Sequence, residues 1–221
     1  MRSMTHALSS HSYASRPTSR TVSVVIPCFN QAVYVGQAIE SVLSQDGCEV
    51  DVLVVNDGST DEIESALQPF QTRVHAIHQA NAGVSAARNA GLAVAQHDWV
   101  VFLDADDVLR EGALSRMLEE AERFPEATVL YGSAVLIDCD GRPLDEVIPS
   151  DLGDEPLAKL LSANRISTPG AVMLSRRLCE SVGGFDRELA PAEDWDLWIR
   201  LAAAGGQFKR VDCFAVGYRQ H

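Results

Sequence analysis

The sequence is short of positive charge. Its 18 Lys and Arg stand against 31 Asp and Glu, for a net charge of −13 at pH 7. The basic residues are also scattered, so neither nucleic acid nor an anionic membrane surface is an expected partner. No apolar run approaches the ~18–20 residues of a membrane span. The opening stretch MRSMTHALSSHSYASRPTSR contains no apolar core of the kind that marks a secretory signal. The expectation is therefore a cytoplasmic protein with no membrane span. Cys28, Cys48, Cys139, Cys179 and Cys213 form no CxxC pair and are odd in number, which fits neither a disulfide framework nor a thiolate zinc site. Internal repeats are lacking too.

What is present fits one large domain. At 221 residues and 46% hydrophobic, the chain can bury a substantial core but divides poorly into two. Residues 1–20 have no apolar periodicity and read as a flexible arm; residues 21–221 read as a single domain. From Thr21, β-branched runs alternate with segments of helical spacing. Val22–Ile26 is a strand, and Ala38, Ile39, Val42 and Leu43 mark a helix. Val50–Val55 is a strand, and Ser59 with Glu62 suggests a capping box for a helix to about Leu67. A strand over 73–78, an Ala-rich helix over 84–96 and a strand over 99–103 follow. Near-continuous apolar strands alternating with helices predict an α/β fold, a Rossmann-like α/β/α sandwich with a mostly parallel sheet. In such sheets ligands bind outside the carboxyl ends of the strands. That brings together the loops at 27–30, 56–59 and 104–107. Beyond a helix over 111–124 the pattern loosens into α+β material, with a strand over 128–137 and an amphipathic helix from Glu193 to about Ala204.

The chemistry concentrates in these loops. VVFLDADDVL runs a buried-looking strand into Asp104, Asp106 and Asp107. Clustered carboxylates suit a hard divalent cation whose remaining ligands are water and substrate phosphates. Taken alone, the same residues fit an Asp-rich helix N-cap equally well. Asp57 in VVNDGSTD is placed to accept a nucleobase N–H at a solvent-facing strand end, although NDGS alone is a common turn. NAGVSAARNAGL offers a helix N-terminus and the Arg88 guanidinium, both suited to a diphosphate, although Arg88 is equally compatible with a helix surface.

SVVIPCFN, VVNDGSTD, NAGVSAARNAGL, VVFLDADD and GGFDRELAPAEDWDLWIRLAAAG occur together and in this order. In this the chain resembles the family 2 glycosyltransferases, with the nucleotide-sugar-binding A-type fold, over about Val22 to His221. The resemblance implies an inverting transferase that moves a sugar from a nucleoside-diphosphate sugar, most simply a UDP-sugar, to a glycan, lipid-linked or other hydroxyl acceptor. It implies cell-surface polysaccharide or glycoconjugate synthesis with Mn²⁺ or Mg²⁺ as cofactor, a nucleotide-binding half over 21–110 and an acceptor-binding half over 111–221. By the same resemblance Pro27, Phe29, Asn30, Asp57, Arg88 and Asp104 bind the nucleotide. Asp106, with Asp104, Asp107 and the YRxH-like His221, forms the metal site. Asp194 is the catalytic base, with Glu193 and Trp195 on the acceptor side.

Two points bear on that assignment. Asp194 opens a helix, whose dipole should lower its pKa and weaken it as a base; and Glu193 and Asp194 could simply cap that helix, with Trp195 and Trp198 in the core. No counterpart of the family's C-terminal lid, membrane segment or partner-binding extension is expected here. The acceptor side is accordingly expected to be open or completed by a partner protein or a second copy of the chain. The competing function is a catalytically inactive nucleotide-sugar-binding module with a regulatory or scaffolding role. A phosphoacceptor domain is a poorer fit, because a later strand-end Lys is missing and the EDW motif is left unexplained.

Overall fold

A computed structural model describes residues 20–221; the arm expected over 1–20 lies outside the described residues except for Arg20. That residue is anchored. Its Nε donates to the Gly47 carbonyl at 2.7 Å and its guanidinium reaches Glu122 at 3.2 Å, so Arg20 packs with the domain that follows it.

The alternating units take the expected form: β1 (Thr21–Cys28), α1 (Ala32–Leu43), β2 (Glu49–Asn56), α2 (Ile63–Leu67), β3 (His75–His78), α3 (Val84–Val94) and β4 (Trp99–Phe102). Their strands lie in the order β3-β2-β1-β4, all parallel. Within β1, Val22, Val24 and Ile26 pack into one core with Val35 and Ile39 of α1. Val25 faces the opposite core with Ala87 and Leu92 of α3. The period-2 alternation of the strand thus feeds two helical layers. Gly91 makes the second packing possible, since a Cβ there would lie 2.3 Å from a Val25 methyl.

The rest of the chain is β5 (Val108–Leu109), α4 (Ala113–Arg123), β6 (Val129–Ile137), β7 (Pro143–Val147), α5 (Pro156–Ser162), β8 (Val172–Ser175), α6 (Arg176–Ser181), α7 (Glu193–Ala203) and β9 (Phe208–Arg219). Here the sheet becomes mixed. β8 runs antiparallel to β4, and β6 antiparallel to β8. One edge of β6 pairs first with β8 and then, over Ala134–Ile137, with β7. Its other edge carries β9 in parallel. The parallel sheet expected from the sequence is therefore the part formed by residues 21–102, extended by a mixed part.

Three local expectations change. Helix α2 starts at Ile63 with no side-chain cap, because the Ser59 hydroxyl instead accepts the Asn30 N–H at 3.0 Å; there is no capping box. Asp107 does not cap a helix, since Val108–Leu109 is a strand paired antiparallel with β9 at Gly217 and Val216. The 12-residue β9 was not foreseen at all. Its buried positions include Val211, Cys213, Ala215 and Gly217, and small residues of weak strand preference hide the alternation.

Candidate functional site

Three loops meet at the carboxyl ends of β1, β2 and β4. The Asp57 N–H donates to the Cys28 carbonyl at 2.8 Å, while Asn30 Oδ1 accepts the Thr60 N–H at 2.8 Å. Asn30 itself sits at φ 55°, a left-handed conformation that Asn tolerates better than most residues. These bonds hold Pro27 buried and leave Phe29 48% exposed at the rim, free to stack on a planar ring.

Asp57 is not solvent-facing, as expected from the sequence, but 2% exposed. Its Oδ1 accepts from Gln79 Nε2 at 2.7 Å and the Ala82 N–H at 2.9 Å, and its Oδ2 accepts the Gly83 N–H at 2.8 Å. The carboxylate therefore organises the segment that leads into α3. Gly58 permits the approach: a Cβ there would lie 2.7 Å from the Asn81 nitrogen.

Arg88 projects from α3 and is 3% exposed. One arm donates to Asp104 at 2.7 Å, the other to Glu193 at 2.9 Å, and the guanidinium lies 5.0 Å from the centroid of Phe185. Burial alone would lower its pKa, but the two carboxylates outweigh burial and hold it above the usual value. It is a fixed cation between the β4 end and the start of α7, rather than the surface helix residue the sequence also allowed.

The carboxylates after β4 divide in two. Asp104 and Asp106 remain partly exposed, and Asp106 Oδ2 lies 2.8 Å from His221 Nε2. Asp107 points inward at 1% exposure, with Oδ1 accepting the Arg219 N–H at 2.9 Å and Oδ2 without a partner among the described residues. Burial, then the nearby Asp104, pushes its pKa up to about 8. It thus faces the protein interior, whereas Asp106 and His221, expected with it among the metal ligands, remain open to solvent. Among the described residues no three His, Cys, Asp or Glu side chains are grouped to hold a metal ion.

Asp194 lies in the first turn of α7. Burial raises its pKa and Glu193 adds to the effect, against the lowering by the Trp195 N–H, Arg88 and a hydrogen bond from Asn164. The dipole argument from the sequence is thus reversed by desolvation. Trp195 Nε1 donates to the Leu160 carbonyl at 2.7 Å, tying α7 to α5, and Trp198 is fully buried. Sequence reading missed Arg219, Tyr34 and Asn164. Arg219 and Tyr34 flank His221, and no spacing rule links these distant segments.

The sequence from residue 23 to 183 matches the family model described as glycosyl transferase family 2. The succinoglycan biosynthesis protein ExoO of Rhizobium meliloti is 31% identical over 84% of this chain and 57% of its own length. The chondroitin synthase of Pasteurella multocida is 27% identical over 86% of this chain and 20% of its own. An uncharacterized glycosyltransferase of Rickettsia felis is 27% identical over 81% of this chain and 31% of its own length, so the chain spans only part of these relatives. The fold is that of the crystal structure of S. aureus TarS 1-349 in complex with UDP-GlcNAc, with a TM-score of 0.74 at 19% identity over 91% of this chain and 59% of that one. With the family model covering most of the domain and the A-type fold in place, the chain belongs to glycosyl transferase family 2.

Proposed function

We propose that the protein is a metal-dependent inverting glycosyltransferase. It moves a sugar from a nucleoside-diphosphate sugar, best a UDP-sugar, to a hydroxyl on a glycan, lipid-linked or other acceptor in polysaccharide or glycoconjugate synthesis. The observation that carries this reading is the arrangement of carboxylates. Asp104 and Asp106 follow β4, across β1 from the Asp57 loop that follows β2, while Asp194 lies in the first turn of α7 next to Glu193, which Arg88 links to Asp104. A UDP-sugar donor is supported by the likeness to a fold solved with UDP-GlcNAc, and a polysaccharide product by relatives named for succinoglycan and chondroitin synthesis.

Phe29 is positioned to stack on the base. The loop organised by Asp57 would read the base edge, and Asp104 would meet the ribose. The metal fits the residues present: Asp106 and His221 offer one oxygen and one nitrogen donor 2.8 Å apart. This partial shell suits a cation that takes its other ligands from water and a diphosphate. When bound, Mn²⁺ or Mg²⁺ would neutralise charge on the leaving diphosphate.

The C1–oxygen bond to the diphosphate breaks as the acceptor oxygen forms the new bond from the opposite face, and the acceptor proton passes to Asp194. An aliphatic hydroxyl needs such a base near neutral pH, and the raised pKa of Asp194 makes it a stronger one. Glu193 and Trp195 would border the acceptor. A cytoplasmic setting is part of the same proposal, supported by five free cysteines. The test is calorimetric titration of UDP with Mn²⁺ and with excess chelator, on wild type and on Asp106→Asn. Metal-dependent binding that weakens in the variant is expected; equal affinity in all samples overturns the metal assignment.

A further inference from the structure

We propose that Arg219 is a positioning residue that holds the two candidate metal donors, Asp106 and His221, against each other. The inference rests on the metal reading above.

Arg219 is the last residue of β9 and is 3% exposed. Its side chain satisfies three separate segments. Nε donates to the Asp106 carbonyl at 2.7 Å. One terminal nitrogen donates to the carbonyls of Asp138 and Cys139 at 2.9 and 2.8 Å. The other donates to Gln37 Oε1 on α1 at 3.0 Å. The guanidinium also lies 4.7 Å from the centroid of Tyr34. None of these side-chain bonds goes to a carboxylate, so the planar fork is used for geometry; Lys, with a point charge, could not reproduce it.

The main chain continues the same hold. The Arg219 N–H donates to Asp107 Oδ1 and the Gln220 N–H to the Ile137 carbonyl at 2.8 Å. Two residues beyond the guanidinium anchor, His221 places Nε2 2.8 Å from Asp106 Oδ2 and its ring 5.4 Å from that of Tyr34. So short a tether, about 7 Å at full extension, keeps the His221 ring close to Asp106 once Arg219 is fixed. Arg219 therefore grips Asp106 by its carbonyl and His221 by the chain. Outer-shell contacts of this kind commonly change metal affinity about 10–100-fold.

The experiment measures Mn²⁺ binding in the presence of UDP by the loss of the free-ion signal in electron paramagnetic resonance. It compares wild type, Asp106→Asn, His221→Ala, Arg219→Lys and the His221→Ala/Arg219→Lys double variant, each with its melting temperature. Arg219→Lys should weaken Mn²⁺ binding about 10-fold or more. The double variant should lose less than the product of the two single losses, because both act through one pair. Unchanged Mn²⁺ affinity in Arg219→Lys, a loss of stability without a loss of affinity, or full additivity with His221→Ala overturns the proposal. Should Arg219→Lys prove too unstable to measure, Gln37→Ala and Tyr34→Leu, which remove single supports of the same guanidinium, must weaken Mn²⁺ binding in its place, and unchanged affinity in both overturns it equally. Failure of the underlying reading looks different: Asp106→Asn would then bind Mn²⁺ as wild type does.

Discussion

Arg88→Met separates a structural tie from a donor contact. Methionine keeps much of the apolar stem but strands Asp104 and Glu193 without their shared cation. Breaking a buried pair by removing one partner costs about 3–5 kcal/mol when both groups are fully enclosed. The Asp104 side chain is 28% exposed and that of Glu193 13%, so water relieves part of the penalty and Glu193 bears most of it. We expect a loss of about 2–3 kcal/mol after that discount, or roughly 5–10 °C in Tm for a domain of this size. Arg88→Met/Glu193→Gln should then recover about 1 kcal/mol, because the stranded carboxylate is gone. Thermal denaturation followed by circular dichroism, with UDP titration alongside, reads both effects. An Arg88→Met protein as stable as wild type, or a double variant that loses the full sum of two independent penalties, would refute the claim that Arg88 joins the two sides of the site.

Asp57→Ala leaves the Gln79 amide and the Ala82 and Gly83 N–H groups without their acceptor. Water reaches the exposed loop, so a stability loss of about 2–3 kcal/mol together with weaker UDP binding is expected, checked by chemical denaturation and calorimetry; stability equal to wild type would show that the carboxylate does not organise the loop. Asp194 must be ionised to accept a proton, and its pKa is raised, first by burial. Turnover should therefore fall on acidification along a limb centred above 3.8, the ordinary value. A kcat profile with its acid limb at or below that value contradicts the desolvation. The sign for stability is opposite: folded Asp194 holds its proton to higher pH than unfolded, so its contribution is present below the unfolded pKa and lost as pH rises through the folded one.

The parallel units were legible in the sequence because β-branched runs and helical spacing act locally, as in Val22–Ile26 and the helix that presents Arg88. Sequence reading also found the loops of Asp57 and of Asp104–Asp106, since strand ends in such sheets converge. It did not find what depends on distant partners. Arg88 reads equally as a diphosphate contact or a surface helix residue until Glu193, 105 positions later, is seen to hold it. Asp107 looks like its two neighbours in the DADD run, and only the return of β9 turns it inward. Asp194 carries a helix dipole in the sequence; its burial is a property of the packed domain. Strand β9 eluded the pattern because small residues carry its buried face, and with it went the Arg219 clamp.

In the proposed mechanism Asp194 serves the acceptor proton and nothing on the donor side. The most direct test of that role compares wild type with Asp194→Asn for Mn²⁺-dependent UDP-sugar binding and for transfer to an identified acceptor, with the product anomer assigned by NMR. The amide can still accept the Trp195 N–H that Asp194 Oδ1 accepts at 2.6 Å, so the fold should be retained. The account predicts unchanged donor binding, transfer reduced on the order of 10²–10⁴-fold, and an inverted anomeric configuration in the wild-type product. Near-normal transfer by Asp194→Asn, or a retained configuration, would contradict it.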